Sequence, residues 1–191
     1  MEESKVGFKV VIIGGSAGSL EVLIKVLPEL KPIPHFALII VLHRKSTEDN
    51  TLEELIAMKT IIPVKLIEDK TVLTPGFIYV APSDYHLLFE TNGELSLDIS
   101  EKVNYSRPSI DVSFESAAEV YGPKLTGVLL SGANADGTHG LKVIKQKGGT
   151  VVIQDPATAE MPYMPRTALE NVTPDFVFGI DALLAYINNV E

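Results

Sequence analysis

Apolar runs alternate along this chain with segments in which apolar residues recur every three or four positions. The runs are typical of buried strands, and the spaced segments are typical of amphipathic helices. The pattern predicts strands near residues 9–14, 36–42, 62–67, 125–131, 149–154 and 175–178. It predicts helices near residues 18–30, 50–59, 111–121, 138–147, 164–170 and 181–188. This alternation indicates an α/β fold: a doubly wound, mostly parallel, Rossmann-like sheet with helices on both faces, in three layers.

The interval between residues 72 and 99 departs from this alternation. It holds three short apolar or alternating stretches, at 77–80, 86–89 and 95–98, separated by turn residues. One turn contains Asn92-Gly93, and an Asn-Gly pair between alternating segments is a strong signal for a hairpin. We therefore expect an antiparallel β-hairpin, inserted in or flanking the parallel sheet.

Length and composition are those of one folded unit. We expect a polar leader at residues 1–7 and a single domain at 8–191, since 46% of the residues are hydrophobic. The net charge of −9 disfavours nucleic acid as a partner. No apolar run approaches the ~20 residues of a membrane span, so no membrane insertion is expected. The absence of cysteine and of a signal peptide fits a cytoplasmic protein.

Gly14-Gly15-Ser16-Ala17-Gly18 lies between the first predicted strand and the first predicted helix. In hydrolases the pattern G-x-S-x-G forms a sharp strand-to-helix turn that exposes the serine hydroxyl as a nucleophile. Free N–H groups at a helix N-terminus stabilise a developing oxyanion. The motif therefore predicts a serine hydrolase with Ser16 as its nucleophile.

A dinucleotide site is the main alternative for glycines that follow a first strand. Its motif, G-x-G-x-x-G, requires glycine two positions after Gly14, where this chain has Ser16. Its second strand also ends in an acidic residue, whereas the second apolar run here ends in His43. Both observations, and the absence of a Walker motif, disfavour a nucleotide site.

His43 and Asp136 are the candidates for the base and for the carboxylate that orients it. His43 closes the strand predicted beside the Ser16 strand, and the ends of paired strands lie roughly 5 Å apart. Asp136 lies in a glycine-rich loop after another apolar strand, in position to complete a triad. Alternatively, Asp136 only caps the following helix, 141–146. The remaining histidines are weaker candidates for the base: His35, His86 and His139.

No set of histidine and acidic residues has convincing metal-ligand spacing, so we expect no metal and no other cofactor. The sequence does contain several separated blocks in a distinctive order. They are residues 11–18, 41–44, 78–82, 84–88, 107–112, then 130–132 with 135–137 and Gly140, and finally 164–166. Together they resemble the catalytic domain of the bacterial chemotaxis protein-glutamate methylesterases (CheB-type), over roughly residues 8–187.

The resemblance implies a specific chemistry. Members of this family hydrolyse γ-glutamyl methyl esters on the cytoplasmic helices of chemoreceptors, and many also deamidate glutamines there. The nucleophile, base and carboxylate of the family fall on Ser16, His43 and Asp136. The implied oxyanion donors are the backbone N–H groups of Ala17 and Ala133.

Two further positions are implied in the substrate cleft. By resemblance, Arg107 lies at the rim of the cleft and contacts acidic receptor side chains, and Met164 belongs to a loop that lines the site. Each has a simpler interpretation, because Ser109 is placed to cap the helix after Arg107, and Pro165 is placed to start the helix after Met164.

The chain also departs from the family pattern. Ala133 stands where members commonly have methionine, and residues 159–163 replace a smaller, glycine-containing run. Well-studied members carry an N-terminal receiver domain, so we expect control by a separate receiver domain or methyltransferase partner. Two other functions remain open: a serine esterase or amidase of the same fold with another substrate, and a binding module with a vestigial triad.

Overall fold

The computed structural model describes residues 6–191, so the first five residues of the expected leader lie outside the described part. Val6, within that leader, is buried against the core. The strands are β1 (Lys9–Gly15), β2 (Phe36–Leu42), β3 (Val64–Leu66), β4 (Thr71–Val72), β5 (Ile78–Val80), β6 (His86–Phe89), β7 (Glu94–Asp98), β8 (Leu125–Leu129), β9 (Thr150–Gln154) and β10 (Phe176–Phe178). The helices are α1 (Ser19–Val26), α2 (Thr51–Lys59), α3 (Ile110–Tyr121), α4 (Thr138–Gln146), α5 (Tyr163–Asn171) and α6 (Ile180–Asn188).

The main sheet is parallel throughout, with the strand order β10-β9-β8-β1-β2-β5-β3. β1 lies at its centre, and alternate residues of β1 point to opposite faces. Val10 and Ile12 pack with side chains of α3, α4 and α5, whereas Val11 and Ile13 pack with those of α1, α2 and α6. The predicted three-layer α/β fold is confirmed.

The expected hairpin is also confirmed, and it is part of a second sheet. β6 and β7 pair antiparallel across the turn containing Asn92-Gly93, and β4 adds to the other side of β7. Gly93 has φ 88°, a conformation that glycine adopts without steric cost. This small sheet packs against α3, which begins beside the site described below.

One strand differs from the sequence prediction. Residues 78–80, expected in the antiparallel region, form β5 and run parallel between β2 and β3 in the main sheet. All three side chains are buried, as expected for a strand covered on both faces. Three residues are too short for a periodic signal, which explains the error. Within residues 6–191, no helix has the length and apolar character needed to cross a bilayer.

Candidate active site

The register of the central strands brings three loops to one edge of the sheet. β1 pairs with β2 so that Gly15 stands opposite Leu42. One residue further on, the His43 N–H donates to the Gly15 carbonyl over 3.1 Å. On the other side, the Ser16 N–H donates to the carbonyl of Ser131, two residues after β8, over 2.9 Å. Ser16, His43 and the loop after β8 therefore leave the sheet side by side.

A tight turn holds Ser16 between β1 and α1. Gly18 makes this turn with φ 83°, and a Cβ atom there would lie 2.6 Å from the Ser131 hydroxyl oxygen. That hydroxyl donates to the Ala17 carbonyl over 2.7 Å, and the Ser19 hydroxyl donates to the Ser16 carbonyl. Hydrogen bonds from two serine hydroxyls thus fix the backbone on the C-terminal side of the nucleophile.

His43 is oriented by hydrogen bonds at both ring nitrogens. Its Nε2 lies 2.7 Å from Asp136 Oδ2, and its Nδ1 lies 3.4 Å from Asn134 Nδ2. The Asn134 Oδ1 accepts the Asp136 N–H, which turns the Asn134 amide nitrogen toward the ring. Because the Asp136 carboxylate can only accept a hydrogen bond, Nε2 carries the ring hydrogen and donates it to Asp136. Nδ1 is left as the basic nitrogen.

Ser16 and His43 line one cavity of about 360 Å³, whose other walls include apolar side chains of α1 and α2. No hydrogen bond joins their side chains in this structure, whereas one joins His43 and Asp136. Hydrogen bonds between catalytic groups are often long before substrate binds. The structure thus joins two members of the predicted triad directly and brings the third to the same cavity.

Asp136 is fully buried and accepts an unusual number of hydrogen bonds. The donors lie 2.7–3.0 Å away and are His43 Nε2, Asn104 Nδ2, the Ser109 hydroxyl and the backbone N–H groups of Ile110, Asp111 and Gly137. Burial raises the pKa of this carboxyl, but the hydrogen bonds from these groups outweigh burial and hold the pKa below its ordinary value. Asp136 is therefore an ionised acceptor for the imidazole.

These contacts correct the helix-capping alternative for Asp136. The only helical N–H groups that donate to the Asp136 carboxylate, within residues 6–191, are those of Ile110 and Asp111 in the first turn of α3. The helix that follows Asp136, α4, begins at Thr138 without a side-chain cap. The expected cap by Ser109 is also wrong, because its hydroxyl donates to Asp136 and makes no capping bond. The carboxylate of Asp136 satisfies these N–H groups of α3 instead.

Two further residues support this site: Asn104, which sequence reasoning missed, and His86, which it considered only as a weaker candidate for the base. Asn104 bridges two carboxylates, with Nδ2 2.9 Å from Asp136 and 2.8 Å from Asp111. His86 is buried, accepts the Ser109 N–H at Nδ1 over 3.2 Å and donates from Nε2 to the Glu101 carbonyl. Nothing in the local sequence around either residue indicates these contacts, so only the tertiary structure reveals the role.

The backbone N–H groups of Ala17 and Ala133 donate to no other group within residues 6–191, and both residues are exposed. The loop that carries Ala133 is held at Gly132, whose N–H donates to the Met161 carbonyl and whose carbonyl accepts the Met164 N–H. Both N–H groups are therefore available to a substrate oxygen.

The chain is similar to proteins of one known family. The family model described as CheB methylesterase matches residues 11–187. The chain belongs to the CheB methylesterase family. A putative protein-glutamate methylesterase/protein-glutamine glutaminase of Leptospira interrogans is 43% identical over 92% of the chain and 91% of its own length. The protein-glutamate methylesterase/protein-glutamine glutaminase of Thermotoga maritima is 37% identical over 88% of the chain and 50% of its own length.

The fold agrees with this assignment. The crystal structure of the Thermotoga maritima CheB methylesterase catalytic domain has a TM-score of 0.90 and 33% sequence identity to this chain. The match covers 96% of this chain and 98% of that domain. The chain is thus a hydrolase with the CheB catalytic fold.

Met164 does not line the cleft of this CheB-family domain. Its side chain is fully buried, and a Cβ atom on Gly132 would lie 2.5 Å from its terminal methyl group. A side chain at that depth makes no substrate contact, so the expectation from the resemblance is corrected. Met164 instead supports the loop of Ala133 from below.

Arg107 lies near His43. Both residues line a small cavity of about 140 Å³ beside the triad. The Nη1 group of Arg107 donates to the carbonyls of Ile99 and Ser100, over 3.0 and 2.9 Å. Arg107 is therefore fixed by backbone acceptors at the edge of the site.

Proposed function

We propose that this CheB-family hydrolase demethylates γ-glutamyl methyl esters on the cytoplasmic helices of chemoreceptors and also deamidates glutamines there. Ser16 is the nucleophile, His43 the base and Asp136 the group that orients the imidazole. The observation that carries the proposal is the buried, ionised Asp136 paired with His43 beside the Ser16 turn. The names of the Leptospira and Thermotoga relatives support the substrate class.

The first half of the reaction forms an ester between the glutamyl group and Ser16. The hydroxyl oxygen of Ser16 attacks the ester carbonyl while its proton passes to Nδ1 of His43. Negative charge develops on the carbonyl oxygen, which accepts from the N–H groups of Ala17 and Ala133. The imidazolium then donates its proton to the leaving methoxide, and methanol departs.

The second half regenerates the enzyme. Water gives a proton to Nδ1 of His43 and attacks the acyl group, and Ser16 leaves with that proton as the free hydroxyl. Throughout both halves Asp136 keeps Nε2 protonated and stabilises the imidazolium without itself taking a proton. Deamidation follows the same path, with ammonia as the leaving group.

Methanol release from methylated chemoreceptor cytoplasmic fragments tests the proposal. We expect release by the natural chain and a loss on the order of 10⁶ in the Ser16→Ala variant. Ser46→Ala, which changes an exposed serine near the site that the mechanism does not use, serves as the matched control. If the natural chain released no methanol although a fluorophosphonate probe still labelled Ser16, the proposed substrate would be wrong. The proposal that the protein is a serine hydrolase would stand.

A further inference from the structure

We infer that Lys45, Lys102 and Arg107 form a cationic rim that binds a side-chain carboxylate of the protein substrate beside the scissile ester. This inference rests on the proposed function and specifies which glutamyl esters the site prefers. The three residues come from two separate loops, one after β2 and one between β7 and α3. All three line the small cavity that also contains His43.

The charges in this cavity are unbalanced. Its lining holds four cations, Arg44 and the three of the cationic rim, against the single carboxylate of Asp84. Arg44 is neutralised by buried Glu53, with Nη1 and Nη2 at 2.5 and 3.3 Å from the two carboxylate oxygens. Asp84 accepts a hydrogen bond from Ser46. The lining of this cavity therefore carries more positive than negative charge.

The cationic rim makes no close ion pair, although Arg107 lies near enough to Asp98 for its charge to help lower the pKa of that carboxyl. Within residues 6–191, none of Lys45, Lys102 and Arg107 lies within 4 Å of a carboxylate oxygen. Within residues 6–191, only Arg44, Lys145 and Lys147 among the lysines and arginines lie within 4 Å of a carboxylate oxygen, so the cationic rim is distinguished by its convergence on one cavity. Unpaired cations that converge on one concave site favour a negatively charged ligand there.

The loop that carries Lys102 and Arg107 is tied to the triad. Val103 and Ser106 exchange backbone hydrogen bonds across a tight turn, with Asn104 and Tyr105 at φ 53° and 63°. These left-handed conformations are costly for residues other than glycine. Asn104 donates to Asp136, so the turn has a fixed position relative to the reacting atoms.

Tyr105 adds an apolar surface to this rim. Its side chain is 98% exposed at the tip of the turn and lines the same cavity as Lys102 and Arg107. An exposed aromatic ring beside cations is typical of an interface anchor. This loop therefore presents the Tyr105 ring to apolar side chains of a substrate helix, and the charges of Lys102 and Arg107 to carboxylates of that helix.

The chemistry of the reaction supplies the ligand. Both demethylation and deamidation convert a neutral glutamyl side chain into a carboxylate. A substrate segment with several modifiable glutamyl groups gains carboxylates as it is processed. The cationic rim therefore makes the enzyme faster on an ester whose neighbours are already carboxylates, one helical turn away.

Two synthetic helical peptides test the inference. Each carries one γ-methyl glutamate, and the positions four residues before and after it are glutamate in one peptide and alanine in the other. Alanine is used because glutamine would itself be a substrate. The measured quantity is kcat/KM for methanol release, and its glutamate-to-alanine ratio is the readout. A misfolded variant loses both rates together and leaves this ratio unchanged.

For the natural chain we expect a ratio of at least about five, since an exposed charge pair is worth up to about fivefold and several act together. The ratio should fall toward one at high salt. It should also fall toward one in Lys45→Gln/Lys102→Gln, whereas Lys31→Gln, an exposed lysine before β2 at the opposite edge of the sheet, keeps it. Tyr105→Ala should raise KM on both peptides.

Two results would overturn the inference. A ratio near one in the natural chain shows that the cationic rim does not bind carboxylates of the substrate, while the proposed function stands. A high ratio that survives the triple substitution Lys45→Gln/Lys102→Gln/Arg107→Gln assigns the preference to residues outside the cationic rim. Absence of methanol release from both peptides and from the methylated receptor fragments, with Ser16 still reactive to the probe, refutes the proposed function and this inference with it.

Discussion

Asp111 and Asp136 each accept hydrogen bonds from the start of the other's helix. Asp136, just before α4, accepts the N–H groups of Ile110 and Asp111 in the first turn of α3. Asp111 accepts the N–H groups of Gly137 and Gly140 at the start of α4, over 3.0 and 2.7 Å. The carboxylate of the triad is therefore built into the junction of two helices, and its position depends on both.

The two carboxyls differ in their titration. Burial raises the pKa of Asp111, and the charge of Asp136 adds to the rise, although the Gly140 N–H opposes it. The pKa of Asp136 is lowered, as described above. This separation keeps Asp136 ionised for His43, which is the arrangement that a triad requires.

Asp136→Asn should remove most of the activity and destabilise the fold. The amide presents hydrogens where the native carboxylate accepts from His43 and Ile110. The imidazole is then no longer held in the tautomer that carries its hydrogen on Nε2. We expect kcat to fall about 10⁴-fold. The free energy of unfolding should fall by about 2–4 kcal/mol, because buried donors lose their acceptor. Steady-state kinetics and urea unfolding measure both, and full activity in the variant would exclude Asp136 from the triad.

The stability that Asp136 provides should depend on pH with a defined sign. Because its pKa in the folded state lies below the ordinary 3.8, this contribution is fully present above pH 3.8 and is lost as the pH falls through the folded pKa. The difference in unfolding free energy between the natural chain and Asp136→Asn should therefore be constant near neutral pH and shrink in acid. Urea unfolding over this range measures it, and a difference that grows in acid would contradict the prediction.

Ser109→Ala should reduce kcat about tenfold, since one of the hydrogen bonds that position Asp136 is lost. Ser113→Ala is the matched control: Ser113 is equally buried in α3, and its hydroxyl donates to the Leu87 carbonyl over 3.0 Å, away from the triad. Both variants should lose about 1 kcal/mol of stability. Equal kcat losses in the two would show that Ser109 has only a structural role.

Ala133→Pro should lower kcat about 10²–10³-fold, because proline removes the N–H group proposed to bind the oxyanion. Ala133→Gly keeps that N–H and should retain most of the activity. Labelling of Ser16 by a fluorophosphonate probe, together with the melting temperature, checks that the proline variant is folded. A folded proline variant with normal kcat would assign the oxyanion donor elsewhere.

Gly132→Ala should disturb the same loop from below. The new Cβ would lie 2.5–3.1 Å from three atoms of Met164, so either the methionine or the loop must move. We expect a loss of activity that the second substitution Met164→Ala partly restores, since it makes room for the methyl group. Methanol release from the single and double variants measures this coupling, and additive losses would contradict it.

Local sequence patterns predicted most of the architecture. β1 and β2 read as unbroken apolar runs because both faces of a central parallel strand are buried. The order of strand, glycine turn and helix around Ser16, and the position of His43 at the end of β2, follow from adjacent residues. β5 was misassigned because its three residues give no period, and its partners in the sheet are distant in sequence.

The sequence by itself determined the layers, the central strands and the candidate groups Ser16, His43 and Asp136, because each is defined by its neighbours along the chain. Only the tertiary structure decided what surrounds Asp136. Asn104, Ser109 and the first turn of α3 are 25 to 32 residues away in sequence, yet they donate to one buried carboxylate. Hydrogen bonds act over about 3 Å of space, whatever the separation along the chain, so no local pattern records them.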